Sequence, residues 1–244
     1  MKTTAIILAA GQGTRMKSDL PKVLHKIQDR PMVLYVIDSV KRLDPEKTIV
    51  VIGYQAQSVR DACRDAEVEF VLQEEQLGTG HAVMQCAPVL ERFDGTVMVL
   101  NGDVPGLRAQ TLREFLGYHE TEGAAGTVLT AKLGDPAGYG RIVRDSEGSL
   151  LKIVEHKDAD ETELKIREVN AGLFCFNKKA LFDALGNTDR DNAQKEYYLT
   201  DAIEKMRRDG LKVAAYCVED EREVSGVNTV AELESVRRFI ADGE

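Results

Sequence analysis

The chain lacks both a long hydrophobic segment and an excess of basic charge. No apolar run approaches the roughly 20 residues that cross a bilayer. The N-terminal apolar run, residues 3–10, is short and leads directly into glycines, so we interpret it as a buried first strand rather than a secretory signal. The 244 residues carry 32 Lys and Arg against 41 Asp and Glu, a formal charge of −9. This balance argues against nucleic acid or anionic membranes as partners, whereas a small anionic substrate stays compatible with a local group of cations.

Cysteine and histidine are also scarce. The four cysteines, Cys63, Cys86, Cys175 and Cys217, stand 23, 89 and 42 positions apart, and the four histidines are equally scattered. These spacings do not match the closely paired ligands of structural zinc sites, and they predict a reduced, cytoplasmic protein. With 43% hydrophobic and 30% charged residues, the composition is that of a globular domain.

Short β-branched runs alternate with longer amphipathic segments, which predicts an α/β fold with a Rossmann-like, mostly parallel central sheet flanked by helices. The predicted strands are residues 4–8, 48–53, 69–73, 96–101, 126–132, 170–177 and 213–218. The predicted helices are residues 32–41, 55–64, 80–89, 109–119, 178–184, 200–209 and 230–240. Residues 135–167 differ from this alternation and predict a hairpin with polar loops, a substrate-facing lobe inserted into a single domain of residues 1–244.

A glycine loop follows the first predicted strand. Gly11 and Gly13 would expose backbone N–H groups, and such groups bind phosphate well. The dinucleotide-binding fingerprint and the Walker A loop both require a glycine at position 16, which is Met16 here. The loop alone is therefore equally compatible with a tight strand-to-helix turn that binds nothing.

Two cations follow the glycine loop closely. Arg15 and Lys22 lie within eleven positions of Gly11, and Pro21 restricts the backbone directly before Lys22. The whole stretch LAAGQGTRMKSDLPKVLHKIQDRPM, residues 8–32, resembles the signature of the nucleotide-sugar pyrophosphorylases. It is particularly similar to the uridyltransferase domains of the bifunctional N-acetylglucosamine-1-phosphate uridyltransferase / glucosamine-1-phosphate acetyltransferases.

The resemblance continues over nearly the whole chain. Ordered blocks occur at Gln73 and residues 76–82, 102–105, 138–141, 154–159, 170–172, 192–194, 196–201 and 226–228. The family implies Mg²⁺ as cofactor, UTP and N-acetylglucosamine 1-phosphate as substrates, and UDP-N-acetylglucosamine and pyrophosphate as products.

The family pattern also implies a role for each matched residue. Nucleotide binding would fall to Leu8, Ala9, Ala10, Gly11, Gln73, Gly78, Thr79 and Gly102. The N-acetylglucosaminyl group would be held by Gly138, Glu155 and Asn170. Arg15 and Lys22 would act on the phosphates as catalytic residues, and Asp103 and Asn228 would bind the metal.

Some of these residues have simpler interpretations. Asp103 follows a predicted strand at its carboxyl end, where open α/β sheets place ligands, but it could also be a turn residue after Gly102. Without the family resemblance, Asn228 would be interpreted as a helix N-cap, and Glu155 could belong to a solvated charged run. We assign His81 and His156 no catalytic role, because a sugar phosphate is already ionised near neutral pH.

The sequence departs from the family pattern in places. Asn101 stands where Tyr is frequent, so one ribose or base contact is expected to differ. No hexapeptide repeats follow residue 240, so we expect no acetyltransferase domain in this chain. The chain would then be either a stand-alone uridyltransferase or an excised domain, and we expect a monomer. The alternatives are a nucleotidyltransferase for another sugar or for dTTP, and a non-catalytic module that binds nucleotide sugars.

Overall fold

Residues 2–242, which the computed structural model describes, form eleven strands and seven α-helices. The strands are β1 (Thr3–Ala9), β2 (Lys26–Ile27), β3 (Arg30–Pro31), β4 (Lys47–Ile52), β5 (Glu69–Leu72), β6 (Thr96–Asn101), β7 (Gly126–Lys132), β8 (Arg141–Arg144), β9 (Leu150–Val154), β10 (Glu168–Asn177) and β11 (Val213–Cys217). The α-helices are α1 (Met32–Lys41), α2 (Ala56–Ala62), α3 (Thr79–Met84), α4 (Ala109–Glu122), α5 (Lys178–Leu185), α6 (Asp201–Arg208) and α7 (Val230–Asp242).

A nine-stranded sheet forms the centre of the fold. Its main path runs β11-β7-β10-β6-β1-β4-β5, and the β8–β9 hairpin extends from β10. Strands β1, β4, β5 and β6 are parallel to their neighbours in this group, whereas β10 is antiparallel to both β6 and β7. The predicted α/β fold with a mostly parallel sheet is therefore confirmed.

Burial on both faces explains why the central strands are continuous apolar runs. Successive side chains of a strand point to opposite faces, and in β1 Ile6 and Ile7 belong to two different core clusters, one on each side of the sheet. Both side chains are fully buried. A strand covered by helices on both faces has no solvent-facing positions and shows little alternation in sequence.

Most predicted elements are confirmed, several with bounds shifted by one to three residues, and one helix ends five residues earlier than predicted. The predicted bounds of α1, β6 and β7 agree with the structure, and the predicted hairpin exists as β8 and β9 around a turn at Asp145. The helix predicted at residues 80–89 ends as α3 at Met84. Pro88 lacks the N–H that would bond the Met84 carbonyl, so the α-helical pattern cannot continue, and Ala87 donates to that carbonyl instead, at 3.1 Å.

The strand order creates a crevice at one edge of the sheet. From β1 the chain proceeds to β4 and β5 on one side, and then returns to place β6 on the other side of β1. In open α/β sheets ligands bind at the carboxyl ends of strands where the order reverses in this way. In the described part of the chain, no helix combines the length and apolarity that crossing a membrane requires.

Candidate active site

A cleft of about 480 Å³ opens at the carboxyl ends of β1 and β6. Nearly all residues predicted for the site line it: Leu8, Ala9, Ala10, Gly11, Arg15, Lys22, Gln73, Gly78, Thr79, Asp103, Gly138, Glu155, Asn170 and Asn228. Gly102 lies beneath this lining, where its N–H donates to the Leu8 carbonyl at 2.9 Å. The fold thus brings together residues from the whole length of the chain.

The glycine loop packs directly against Lys22. Gly13 has a φ of 74°, and a Cβ at this position would collide with the side chain of Lys22. Only glycine combines this left-handed backbone with so close an approach. The chain then enters a 3-10 helix, Thr14–Met16, that carries Arg15, and a second one, Lys22–Leu24, begins with Lys22.

Four polar side chains converge at this end of the cleft. The Lys22 ammonium pairs with the Asp103 carboxylate and donates to Asn228 Oδ1 at 2.9 Å. Arg15 Nη2 donates to the same Asn228 oxygen at 2.8 Å. The group therefore brings two cations, one carboxylate and one amide oxygen to a single point. Cations held in a cleft favour anionic ligands.

Asn228 does not cap helix α7. The cap is Thr229, whose Oγ1 accepts the Glu232 N–H at 3.2 Å, while Glu232 Oε2 accepts the N–H groups of Thr229 and Asn228 at 2.8 and 2.7 Å. This reciprocal pair is a capping box. The N-cap interpretation of Asn228 is therefore wrong, and its side chain reaches into the cleft because the next residue satisfies the helix.

One wall of the cleft is tied to the segment before α6. The buried Gln73 side chain donates from Nε2 to the Gly78 carbonyl at 3.1 Å. Gly78 has a φ of 106°, and a Cβ there would lie 2.6 Å from the Tyr197 carbonyl oxygen, so this close approach requires glycine. Thr79 Oγ1 accepts the Leu199 N–H at 3.1 Å. These bonds hold the predicted uridine-binding residues against residues 197–199.

Another wall of the cleft carries the half-buried Glu155. Thr200 Oγ1 donates to its Oε1 at 3.2 Å, so the Thr200 hydroxyl serves this carboxylate and not the N-terminus of α6. Burial raises the pKa of Glu155, and the negative charges of Asp158 and Glu196 act in the same direction. The interpretation of Glu155 as part of a solvated run is therefore wrong.

Asn170 lies where strand β10 is irregular. The register of β10 against β7 shifts between Asn170 and Leu173. Asn170 donates its N–H to the Gly140 carbonyl at 2.9 Å and accepts the Gly172 N–H on its own Oδ1 at 2.8 Å. A bulge of this kind turns a side chain away from the regular pleat. Asn170, Gly138 and Glu155 all line the cleft.

Sequence reasoning missed several residues of the lining. Tyr139, Gln76, Glu196, Thr200, Val224 and Gly226 all border the cleft. Most of them belong to the blocks that carry the family resemblance, and their positions inside those blocks could have identified them as residues of the site. The phenol of Tyr139 is half-buried, and burial is the main cause that raises its pKa.

Residues 4–226 match the protein family described as nucleotidyl transferase. The chain belongs to this family. It is 50% identical over 242 residues to the bifunctional protein GlmU of Geobacillus thermodenitrificans, covering 99% of this chain and 52% of that protein. It is 46% identical over 236 residues to the bifunctional protein GlmU of Enterococcus faecalis, covering 97% of this chain and 51% of that protein. The chain thus spans about half the length of these relatives.

A solved structure shows the same fold. The crystal structure of UDP-glucose pyrophosphorylase complexed with UDP-glucose superposes with a TM-score of 0.76, 18% identity and full coverage of both chains. At this identity the similarity is one of fold. The sequence-based predictions of the family and of a nucleotidyltransferase fold are confirmed.

Proposed function

We propose that the chain transfers the uridylyl group of UTP to N-acetylglucosamine 1-phosphate, giving UDP-N-acetylglucosamine and pyrophosphate. The convergence of Lys22, Arg15, Asp103 and Asn228 in one cleft carries this proposal. A module that only binds nucleotide sugars has no need of two cations and two oxygen ligands at one point. The similarity to bifunctional GlmU proteins over 99% of the chain supports the choice of substrates.

The chemistry requires positioning and charge neutralisation more than covalent help. An oxygen of the sugar phosphate attacks the α-phosphorus of UTP in line, the bond to the β-phosphate oxygen breaks, and pyrophosphate leaves with that electron pair. The nucleophile is already ionised, so no general base is required. Lys22 and Arg15 would lower the repulsion between the phosphates and stabilise the charge of the transition state.

The donor set beside Lys22 fits a Mg²⁺ ion. The Lys22 ammonium contacts both an Asp103 oxygen and Asn228 Oδ1, so these two oxygens already converge on one positive group. Mg²⁺ prefers oxygen ligands, commonly one or two carboxylates with waters and substrate phosphates. Residues 2–242 contain no group of three or more His, Cys, Asp or Glu side chains that could hold a metal. When bound by Asp103 and Asn228, Mg²⁺ would supply further neutralisation of phosphate charge.

The two walls divide the substrates between them in this proposal. The uridine side consists of the residues around the glycine loop and its neighbouring wall: Leu8, Ala9, Ala10, Gly11, Gln73, Gly78, Thr79 and Gly102. The sugar side consists of Gly138, Glu155 and Asn170. The half-buried Glu155 carboxylate can accept hydrogen bonds from sugar hydroxyls, and a site built on such bonds rejects analogues that leave its polar groups unpaired.

Pyrophosphate release from a panel of substrates tests the proposal. UTP, dTTP and ATP would each be combined with N-acetylglucosamine 1-phosphate and glucose 1-phosphate, with and without Mg²⁺. We expect the highest kcat/KM for UTP with the N-acetylated sugar, and release only with Mg²⁺. Equal kcat/KM values for the two sugars would refute the sugar assignment, and no release from any pair would favour the binding module.

A substitution tests the metal ligand directly. Asp103→Asn keeps the side-chain shape but removes the one full negative charge assigned to Mg²⁺, so turnover should fall on the order of 100-fold or more. Asp94→Asn removes the same charge from an exposed side chain and should leave turnover unchanged. Wild-type turnover of Asp103→Asn at limiting Mg²⁺ would show that Asp103 is not a metal ligand.

A further inference from the structure

Glu223 is a buried carboxylate that lies outside the cleft but next to it in the chain. It is 5% exposed and belongs to a 3-10 helix, Glu221–Val224. The following residues Val224, Gly226 and Asn228 line the cleft. A buried charged group is costly unless it is paired and hydrogen-bonded, so the contacts of Glu223 indicate what it does for this segment.

The Glu223 carboxylate satisfies the N-terminus of helix α4. Its Oε2 accepts the Thr111 hydroxyl at 2.5 Å and the Arg108 backbone N–H at 3.3 Å, and the Arg108 guanidinium lies 3.4 Å from Oε1. Arg108 occupies the N-cap position of α4 without a side-chain cap of its own, and the first turn of α4 has no acidic residue. Glu223 therefore supplies, from 115 positions away, the acceptor and the negative charge that this helix end favours.

The same region also holds helix α7. The guanidinium groups of Arg108 and Arg222 lie 5.2 and 5.0 Å from the centre of the Phe239 ring, which belongs to α7. Between these contacts and the cap of α7, Val227 donates its N–H to the Asp103 carbonyl at 3.0 Å. The segment from Glu223 to Asn228 is thus fixed at its start by α4, in its middle by the loop that follows β6, and at its end by α7.

We propose that Glu223 is a positioning residue for the metal site, which fixes Asn228 relative to Asp103 by anchoring the Glu221–Val224 turn to α4. The proposal rests on the proposed function, because it takes these two residues as the Mg²⁺ ligands. Two ligands on different segments bind one ion well only when their separation is held, and supporting groups outside the ligand set commonly hold it. The Glu223 carboxylate can be weakened by an isosteric substitution without altering Asn228 or the cap of α7 that bonds it.

The test compares Glu223→Gln with Glu221→Gln, an exposed glutamate of the same turn. The first readout is the Mg²⁺ concentration that gives half-maximal pyrophosphate release at saturating UTP and N-acetylglucosamine 1-phosphate. We expect Glu223→Gln to raise this concentration about 5-fold, below the roughly 10- to 100-fold typical of lost supporting contacts, because glutamine keeps one acceptor oxygen. At saturating Mg²⁺, kcat should stay within about twofold of the wild type. Glu221→Gln should match the wild type in both quantities.

A second readout does not depend on activity. The increase in Tm that Mg²⁺ adds in the presence of UTP reports metal binding to the folded protein, and reaching an equal increase should require about 5-fold more Mg²⁺ in Glu223→Gln. Where Glu223→Gln does not fold, Thr111→Val takes its place, since it removes the hydroxyl donor and keeps the side-chain volume. Thr111→Val should raise the half-saturating Mg²⁺ about 2-fold.

The outcomes separate the two proposals. An unchanged Mg²⁺ requirement in both readouts, with a lower Tm, would show that Glu223 only stabilises the fold and would overturn the positioning role. A wild type with neither pyrophosphate release nor a Mg²⁺-dependent Tm increase would overturn the proposed function and the metal site with it. A wild type that shows the Tm increase but no release would refute the reaction alone, and the Tm comparison of the variants would still decide the role of Glu223.

Discussion

Asp201 should destabilise the protein at neutral pH. It is the half-buried first residue of α6 and directly follows Thr200, which bonds Glu155. Burial raises its pKa from 3.8 to about 6, and the negative charges of Glu204, Glu155, Asp189 and Asp158 add to this effect. The folded protein therefore resists ionisation of this carboxyl group, and Asp201→Asn removes the charge without changing the shape.

The pKa difference sets the size of the effect. A gap of about two pKa units corresponds to roughly 3 kcal/mol. Partial exposure of the side chain reduces this value, and a negative charge at a helix N-terminus contributes about 0.3–1 kcal/mol in the opposite direction. We expect Asp201→Asn to increase the free energy of unfolding by about 1–2 kcal/mol at pH 7.5.

The sign of the pH dependence follows from linkage. Between pH 3.8 and about 6 the folded state binds more protons at Asp201 than the unfolded state does, so the contribution of this group to stability falls as pH rises. Urea unfolding of the wild type and Asp201→Asn at pH 4, 5, 6 and 7.5 measures this. The advantage of the variant should be largest at pH 7.5 and mostly lost at pH 4. Glu161→Gln, which removes a charge from an exposed side chain, serves as the control. A stability difference that is independent of pH would refute the reasoning.

Three further predictions concern the cleft and one strained turn. Arg15→Ala and Lys22→Ala should each lower kcat by roughly 10- to 100-fold, as expected for contacts worth about 1.5–3 kcal/mol, and should raise KM by less. Steady-state kinetics that show a change in KM alone would mean that these residues bind the ground state and the transition state equally well. Because burial raises the pKa of Glu155, the KM for N-acetylglucosamine 1-phosphate should rise as pH falls through that pKa, relative to Glu155→Gln. The ratio of the two KM values cancels the titration of the substrate, and a constant ratio from pH 4 to 8 would contradict the role of the carboxylate. Lys195 is exposed and has a φ of 57°. Because a left-handed backbone is costly for residues with a Cβ, Lys195→Gly should be about 1 kcal/mol more stable in urea unfolding than Lys195→Ala. Equal stabilities would count against strain at this turn.

Local sequence patterns were sufficient for most of the fold. Apolar runs and turn residues predicted the strands of the central sheet, because a strand buried on both faces is a nearly continuous run of apolar residues. Helix α1 and strand β6 have the predicted bounds. The error at α3 came from treating Pro88 as compatible with a helix, although proline removes a donor that the preceding turn requires.

The family resemblance, more than the residue pattern, predicted the candidate site. From the residues alone, the glycine loop was equally compatible with a turn that binds nothing, and Asp103 was expected near a ligand because it follows a strand at its carboxyl end. The resemblance assigned Arg15, Lys22 and Asp103 to one site, and the structure brings them together in one cleft. Their roles in binding and catalysis stay predictions. The family resemblance added Asn228, which the residue pattern by itself assigned wrongly to a helix cap.

Only the tertiary structure decided which partners these side chains have. Lys22 bonds an oxygen 206 positions away, Thr200 donates to Glu155 and not to its own helix, and Glu223 lies buried against α4. Hydrogen bonds are chosen among all donors and acceptors within about 3 Å, and pKa values depend on burial and on charges within several ångströms. Both depend on distances in space, which the order of residues along the chain does not contain. The sequence therefore determined the elements and the residue types of the cleft, and the packing of distant segments determined its hydrogen bonds and its electrostatics.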